Sequence, residues 1–133
     1  MLNLSFHEFM IGDYPDQDLH LYVVRTYNEV LYVGISTSNI WNRWFSARNA
    51  HMVQVVGSSW IGNSAIGQAV CENMPESLEW TIELWSLEDC AGFLDDKMFS
   101  KGRLNIRDVE PLMIQKLLPK LNVIYNAPRS NRE

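Results

Sequence analysis

The sequence predicts one α+β domain in which helices pack on a small antiparallel sheet. Its 133 residues suffice for one hydrophobic core but not for two, and 47% of them are hydrophobic, which excludes a disordered chain. Two runs with the alternation and composition of β-strands flank a short polar turn between residues 21 and 36. Later segments have the caps and apolar spacings typical of helices, and one alternates like a half-buried strand.

The opening hairpin decides where two tyrosines lie. A three-residue loop at 27–29 places Tyr22 opposite Gly34 and Val24 opposite Tyr32, so that both tyrosines share one face of the sheet. A two-residue loop would put them on opposite faces. We predict the three-residue loop, and we expect the glycine to leave open space beside the two phenols.

The remaining elements follow from caps and periodicity. In chain order they are a helix within 36–51, a helix within 57–73, a strand within 77–85, a helix within 86–99 and a helix at 107–118. Serine and threonine side chains are predicted to cap the first of these helices. Ser86, with Asp89 three residues on, caps the third. Asp108 is predicted to cap the last helix, with Pro111 in its first turn and Pro119 ending it.

Charge is distributed unevenly along the chain. The net charge is −5, yet residues 1–96 carry 13 acidic and 3 basic side chains, whereas residues 97–133 carry 8 basic and 3 acidic ones. This asymmetry favours a polyanionic partner that meets the C-terminal third. A solvated basic helix is the alternative interpretation.

Cysteine usage and the first residues indicate a cytoplasmic protein. Cys71 and Cys90 lie far apart without a CxxC pair, which predicts two buried thiols in a reducing compartment rather than a zinc site. The first 20 residues lack a basic region and turn acidic, so we do not expect a signal peptide. No apolar run approaches the roughly 20 residues of a membrane span.

One acidic residue interrupts the apolar stripe of the last predicted helix. At about 100° per residue, Glu110 lies between Val109 and Met113 on one side and Ile114 on the other. Charging a carboxylate there costs several kcal/mol unless a partner compensates the charge.

Three interpretations of Glu110 remain open. It is a first-turn acid that favours the helix dipole and bends out to solvent, or the partner of a buried arginine. The functional interpretation is a metal ligand that faces a cleft, because a hard divalent cation favours an inward carboxylate.

Taken in order, these features resemble the GIY-YIG nuclease family. The first signature tripeptide corresponds to "HLY" at 20–22 and the second to "YVG" at 32–34. The family's arginine on the following helix corresponds to Arg43 in "IWNRW". Its metal-binding glutamate corresponds to Glu110 in "VEPLMIQKLLPKLN", which ends with Asn122, the family's closing asparagine.

The resemblance covers residues 20–122 and implies a fold. The family fold is a small three-stranded antiparallel sheet flanked by helices. We therefore expect residues 1–133 to form a single domain, with an N-terminal extension at 1–19 and a C-terminal tail at 123–133.

The resemblance also implies an endonuclease that hydrolyses DNA phosphodiester bonds with Mg²⁺ or Mn²⁺. Glu110 would hold the metal ion. Arg43 would offset the charge that grows on the phosphate. Tyr22 would orient or deprotonate the attacking water, with Tyr32 as its hydrogen-bond partner. Asn122 would hold the shape of the cleft or a water.

Four further residues are candidates for contact with DNA. Gly34 is explained by close approach of the substrate. His51 would act as a proton carrier, although a lone histidine after a helix is more often a surface or cap residue. Lys116 and Lys120 would contact the phosphate backbone.

Two rival interpretations remain. His20 replaces the family's usual glycine, and Ile35 stands where many members carry a lysine. These departures favour a non-catalytic nucleic-acid-binding or protein-interaction module that kept the fold. The five tryptophans would then suit a homodimer interface or a partner protein. The third interpretation is an unrelated α+β domain with a coincidental hairpin.

Overall fold

A computed structural model of the protein describes residues 1–15, 17–55, 57, 59–95 and 105–122. Within these residues the chain forms six strands and five α-helices. The strands are β1 (Leu2–Ser5), β2 (Leu21–Arg25), β3 (Val30–Ile35), β4 (Met52–Gln54), β5 (Trp60–Gly62) and β6 (Thr81–Trp85). The helices are α1 (Phe6–Ile11), α2 (Ile40–Phe45), α3 (Ala65–Glu72), α4 (Leu87–Leu94) and α5 (Ile106–Leu117), with a 3-10 turn at Glu76–Glu79.

The main sheet has four strands rather than the three expected. Its order is β1-β6-β2-β3 with every pair antiparallel, and β4 and β5 form a separate hairpin. The additional strand is β1, in which Leu2 pairs with Leu84. The segment expected as an extension thus supplies an edge strand. It also supplies α1, whose Phe6 and Phe9 are fully buried in the core.

The β2–β3 hairpin places the two tyrosines as predicted. Tyr22 lies opposite Gly34, and Val24 lies opposite Tyr32. Both phenols therefore share one face of the sheet. The predicted pairing is confirmed.

The loop between these strands is shorter than predicted. The Thr26 N–H donates to the Glu29 carbonyl at 2.9 Å, so these two residues face each other and only Tyr27 and Asn28 form the turn. Arg25 then lies opposite Val30, and the predicted three-residue loop is wrong. A register shift then leaves Leu31 as an extra residue on β3, which is a β-bulge. The bulge restores the alternation of side chains that the shorter loop alone would have reversed.

Asparagine, rather than the predicted residues, caps two of the helices. α2 begins after Asn39, whose side chain accepts a backbone N–H, and not after a serine or threonine. α5 begins after Asn105, and Asp108 is instead the third helical residue, which accepts the Asn105 N–H. Asparagine competes equally with serine and aspartate at this position. Pro111 consequently falls in the second turn of α5 and not in the first.

The segment 57–73, predicted as one helix, is a strand followed by a helix. β5 ends at Gly62, and Ser64 caps α3 by accepting the Gly67 N–H at 3.1 Å. A Cβ on Gly62 would lie 2.3 Å from the Gln68 nitrogen. The two glycines that weaken a helix prediction instead allow a strand and a helix to approach closely.

The predicted cap of α4 is confirmed. Ser86 and Asp89 form a capping box, in which each side chain accepts the backbone N–H of the other residue. Residues 96–99 of the predicted helix lie outside the described residues.

The strand predicted within 77–85 is confirmed from residue 81 onward. Alternation between apolar and polar residues in this segment predicts a solvated face that includes Glu83, yet Glu83 is only 6% exposed. Its carboxylate accepts hydrogen bonds from Arg25 Nε at 2.8 Å and from Trp85 Nε1 at 3.2 Å. β6 is an inner strand with helices on both sides of the sheet, so neither of its faces is open to water.

Helices cover both faces of the sheet. On the face that carries Tyr22, α1, α2 and α3 contribute the following buried side chains: Phe6, Phe9, Ile40, Trp44, Ile66 and Val70. On the opposite face, α4 and α5 contribute Cys90, Val109, Met113 and Ile114. α5 also packs against the edge strand β3. This position brings one side of α5 close to the edge of the phenol face.

Two smaller findings concern the cysteines and the helix lengths. Cys90 is buried, Cys71 is half-buried, and both thiols are free. No helix in the described part of the chain has the length and apolar character needed to cross a bilayer.

Candidate functional site

Two neighbouring phenols form the floor of the candidate site. The rings of Tyr22 and Tyr32 lie 6.2 Å apart between centroids, with an angle of 26° between their planes. Tyr22 is 1% exposed, whereas Tyr32 is half-buried. Burial raises the pKa of both phenols, that of Tyr22 well above its ordinary value. Tyr32 is therefore the phenol of this pair that reaches the surface.

The space expected beside Gly34 is filled. A Cβ on Gly34 would lie 2.4 Å from Tyr22 Oη and 2.5 Å from its Cζ. Real Cβ atoms do not approach other atoms so closely, so glycine is required here to accommodate the Tyr22 ring. The expectation of open space for a substrate is wrong at this point.

His51 is buried and joins the phenols to helix α3. It is 0% exposed, so the interpretation of His51 as a surface or cap residue is wrong. Its Nε2 lies 2.5 Å from Tyr22 Oη, and its Nδ1 lies 2.6 Å from Ser64 Oγ. The His51 ring also lies across Tyr32, with 5.6 Å between ring centroids. The result is a continuous chain from a helix-capping hydroxyl, through an imidazole, to a phenol.

The imidazole of His51 is neutral at physiological pH. Burial, with a smaller contribution from the Arg43 charge, lowers the pKa of His51 from 6.5 to about 3. A neutral imidazole has one donor and one acceptor nitrogen. It can therefore bridge two hydroxyl groups without carrying charge.

This shift predicts a specific loss of stability in acid. A histidine whose folded pKa is lowered contributes stability that is present above its unfolded pKa of 6.5 and lost as the pH falls toward the folded value near 3. Between pH 6 and 5, the contribution of His51 to the slope of unfolding free energy against pH should approach about 1.4 kcal/mol per unit. Urea unfolding at pH 7, 6 and 5 measures this slope. His51→Gln should reduce it, whereas substitution of the exposed His7 should not; parallel curves for all three proteins would contradict the assignment.

Arg43 lies beside this chain, on α2. Its Nη1 donates a hydrogen bond to the Asn49 carbonyl. Its positive charge helps to lower the pKa of His51 and opposes the rise in the pKa of Tyr22 and Tyr32. The guanidinium is thus within electrostatic range of both phenols and of the imidazole.

Glu110 is also within electrostatic range of the same phenols. Its charge raises the pKa of Tyr22 and of Tyr32, after the larger effect of burial and against the opposing effect of Arg43. Because α5 begins at Ile106, Glu110 is the fifth helical residue, and the interpretation as a first-turn acid is wrong.

The carboxylate of Glu110 is half-buried and has no compensating partner among the described residues. Burial raises its pKa, and it makes no hydrogen bond or ion pair with any residue that the structure describes, so no arginine neutralises it there. Within the same residues, no group of three or more histidine, cysteine, aspartate or glutamate side chains has the geometry of a metal site. Magnesium, however, often takes one or two carboxylates and completes its shell with water and substrate oxygens. A partly desolvated carboxylate that none of the described residues pairs with fits that requirement.

Asn122 closes the edge of the sheet next to the site. Its Oδ1 accepts the Val33 N–H and its Nδ2 donates to the Val33 carbonyl, both at 2.9 Å. The Leu121 N–H donates to the Leu31 carbonyl at 2.8 Å. These bonds tie the segment after α5 to β3, which carries Tyr32. Of the two roles predicted for Asn122, this geometry supports holding the shape of the site.

The two candidate lysines, Lys116 and Lys120, make their described contacts with residues outside the candidate site. Lys116 Nζ donates to the Phe93 carbonyl at 2.9 Å and lies 4.6 Å from the centroid of its ring. Lys120 Nζ lies 3.6 Å from Glu29 Oε1 in the hairpin loop. Five other basic residues of the C-terminal third lie outside the described residues: Lys97, Lys101, Arg103, Arg129 and Arg132.

Sequence reasoning missed Ser64 and Gly67. A Cβ on Gly67 would lie 1.9 Å from the His51 carbonyl oxygen, so glycine allows the start of α3 to lie against the His51 backbone. The signal was present, because Asn63 and Ser64 precede an apolar helical run and mark its first residue. It was obscured by the prediction of a single helix across 57–73.

Comparisons with protein-family models, with curated proteins and with solved structures found no match. The class that fold and site define is an α+β domain in which a hydroxyl–imidazole–phenol chain lies within electrostatic range of a guanidinium and of a half-buried carboxylate.

Proposed function

We propose that the protein is a metal-dependent endonuclease that hydrolyses DNA phosphodiester bonds at a site of the GIY-YIG type. One observation carries the proposal. The charges of Arg43 and Glu110, which are 67 positions apart in the sequence, act on the same two phenols of the hairpin, Tyr22 and Tyr32. A cation can offset charge on the phosphate, a carboxylate without a partner among the described residues can hold a metal ion, and a reachable phenol can orient water.

The exposure of each residue indicates its role in the proposed reaction. Arg43 offsets the charge that develops on the phosphate, because a guanidinium matches two phosphate oxygens. Tyr32, the half-buried phenol, orients the attacking water by hydrogen bonding. Tyr22 is fully buried and bonded to His51, so we assign it a positioning role in place of the predicted contact with water.

Glu110 would hold Mg²⁺ or Mn²⁺. When bound, the ion supplies a Lewis acid that polarises phosphate oxygens and stabilises the leaving group. Ile35, at the position of the lysine found in many members of the family, is partly buried on the opposite face with α4 and α5. Charge stabilisation in the proposed site therefore depends on Arg43 and the metal ion.

Nicking of supercoiled plasmid tests this function. Purified protein should nick DNA with Mg²⁺ or Mn²⁺ and stop when the metal is chelated. Arg43→Ala should reduce the rate by about 10²- to 10³-fold, and Tyr32→Phe by about 10²- to 10⁴-fold. The exposed Arg48→Ala is the matched control and should keep the parent rate. A parent that does not nick, or variants that nick at the parent rate, would overturn the proposal.

A non-catalytic nucleic-acid-binding or protein-interaction module is the second candidate. It is favoured by a groove of about 530 Å³ whose walls include the rings of Trp41, Phe45 and Trp60. Such rings provide stacking surfaces for unpaired bases or anchors for a partner protein. Binding of labelled single-stranded DNA by the parent without cleavage, and its loss in Trp60→Ala, would favour this alternative.

A further inference from the structure

In the chain from Ser64 to Tyr22, every buried donor needs an acceptor. This requirement determines which nitrogen of His51 carries the proton. His51 Nδ1 faces Ser64 Oγ, and His51 Nε2 faces Tyr22 Oη. A neutral imidazole carries its proton on one nitrogen only. Either the proton is on Nδ1 and Tyr22 donates to Nε2, or it is on Nε2 and Ser64 donates to Nδ1.

The burial of Tyr22 distinguishes these two arrangements. Among the residues that the structure describes, the hydroxyl of Tyr22 has His51 as its only hydrogen-bond partner. If Nε2 carried the proton, the hydroxyl proton of Tyr22 would have no acceptor. An unsatisfied buried donor costs about 1–3 kcal/mol. The first arrangement avoids this cost, because Tyr22 then donates to Nε2.

Ser64 can accept the proton that this arrangement places on Nδ1. Its oxygen already accepts the Gly67 N–H as the cap of α3, and a hydroxyl oxygen has two acceptor sites. Ser64 is half-buried, so its own hydroxyl proton is free to point to solvent. Both donors to Ser64 and the single donor to Nε2 are thereby satisfied.

The start of α3 is held against His51 by the backbone as well. The Asn63 N–H donates to the His51 carbonyl at 2.8 Å, and only glycine fits at position 67, where a Cβ would lie 1.9 Å from the same carbonyl oxygen. Ser64 therefore cannot shift away from the imidazole without breaking the contact between the start of α3 and the His51 backbone.

We propose that Ser64 is a positioning residue that keeps the His51 proton on Nδ1 and so orients the Tyr22 hydroxyl toward Nε2. The role of this orientation in cleavage rests on the proposed function. The tautomer itself does not, because it is a property of the protein without DNA. Held in this way, Tyr22 presents oxygen lone pairs rather than a proton to its surroundings beside Tyr32.

The ¹⁵N chemical shifts of the His51 ring test the proposal at pH 7 in the absence of DNA and metal. The parent should show one protonated nitrogen, Nδ1. Ser64→Asp, which caps α3 and can only accept a hydrogen bond, should keep the proton on Nδ1. Ser64→Ala leaves one buried donor unsatisfied in either tautomer, so its ring should show averaged shifts. Ser86→Ala removes an equivalent cap from α4 and should leave the His51 shifts unchanged.

The outcomes separate this inference from the proposed function. A proton on Nε2 in the parent, or parent-like shifts in Ser64→Ala, would overturn the role of Ser64 whether or not the protein cleaves DNA. Should Ser64→Ala fail to fold, the parent spectrum itself decides the direction, since a proton on Nε2 there means that Ser64 is the donor to Nδ1. If the ¹⁵N shifts place the proton on Nδ1 but the protein does not nick plasmid, the inference is supported and the proposed nuclease function is refuted.

Discussion

Replacing Glu110 with glutamine is expected to abolish cleavage and, at the same time, to stabilise the metal-free protein at pH 7. The carboxylate is half-buried without a partner among the described residues, and burial raises its pKa above 4.5. A neutral amide of the same shape removes the cost of desolvating that charge. A gain in stability combined with a loss of activity is characteristic of a residue retained for function.

The sign of the pH dependence follows from the raised pKa. An acid whose folded pKa is raised contributes stability that is fully present below its unfolded pKa, near 4.5, and is lost as the pH rises through the folded value. The unfolding midpoints of the parent and of Glu110→Gln should therefore be similar near pH 4 and diverge toward pH 7, with the variant higher. Glu88→Gln, at an exposed position on α4, is the control and should show no such divergence.

Divalent metal should stabilise the parent but not Glu110→Gln, so that with metal the parent has the higher unfolding midpoint. At a Mg²⁺ concentration 100 times its dissociation constant, the folded state gains about 2.7 kcal/mol. Thermal unfolding with and without Mg²⁺ should show a higher midpoint for the parent and no change for Glu110→Gln. An equal metal-dependent rise in both proteins would place the binding site elsewhere.

Gly34→Ala is expected to be the most disruptive small substitution in the hairpin. Its Cβ would lie 2.4 Å from Tyr22 Oη and 2.5 Å from Cζ, so the ring must leave its place against His51. Overpacking of this kind costs about 1–3 kcal/mol. Cleavage should fall together with stability, because the displaced ring no longer supports Tyr32.

A second glycine provides the control. Gly92 lies within α4, and a Cβ there meets nothing within 4 Å, so Gly92→Ala should stabilise the protein by about 0.5–1 kcal/mol. Tyr22→Phe removes the hydrogen bond to His51 that Gly34→Ala also breaks when it displaces the ring, so the two substitutions share part of their cost. The double variant should then be less destabilised than the sum of the two single variants, as urea unfolding can measure. Strict additivity would mean that the alanine is accommodated without moving the Tyr22 ring.

The hairpin shows why part of the site could be predicted from the sequence. The pairing of Tyr22 with Gly34 was predicted correctly from an incorrect loop, because the bulge at Leu31 and the shorter turn cancel in their effect on alternation. Alternation constrains which side chains share a face more strongly than it constrains the turn that joins the strands. Similarly, the helical wheel identified Glu110 as an inward acid without any knowledge of the sheet.

Long-range contacts account for what the sequence did not reveal. β1 is a four-residue strand, too short for its alternation to be distinctive, and it becomes a strand by pairing with β6. His51 has no local pattern that marks it as buried, since its partners are Tyr22 on β2 and Ser64 before α3. Caps were misassigned at Asn39 and Asn105, where asparagine and its neighbours are equally good candidates.

The central claim is that Glu110 holds a divalent cation beside the paired phenols. Paramagnetic broadening by Mn²⁺ tests this claim most directly. In protein with ¹³C-labelled tyrosine rings, substoichiometric Mn²⁺ should broaden Tyr32 and Tyr22 first and leave Tyr27, which is fully exposed at the hairpin turn, sharp. Glu110→Gln should abolish this selectivity. Broadening of Tyr27 to the same extent, or an unchanged pattern in Glu110→Gln, would contradict the metal site and with it the assignment of Glu110.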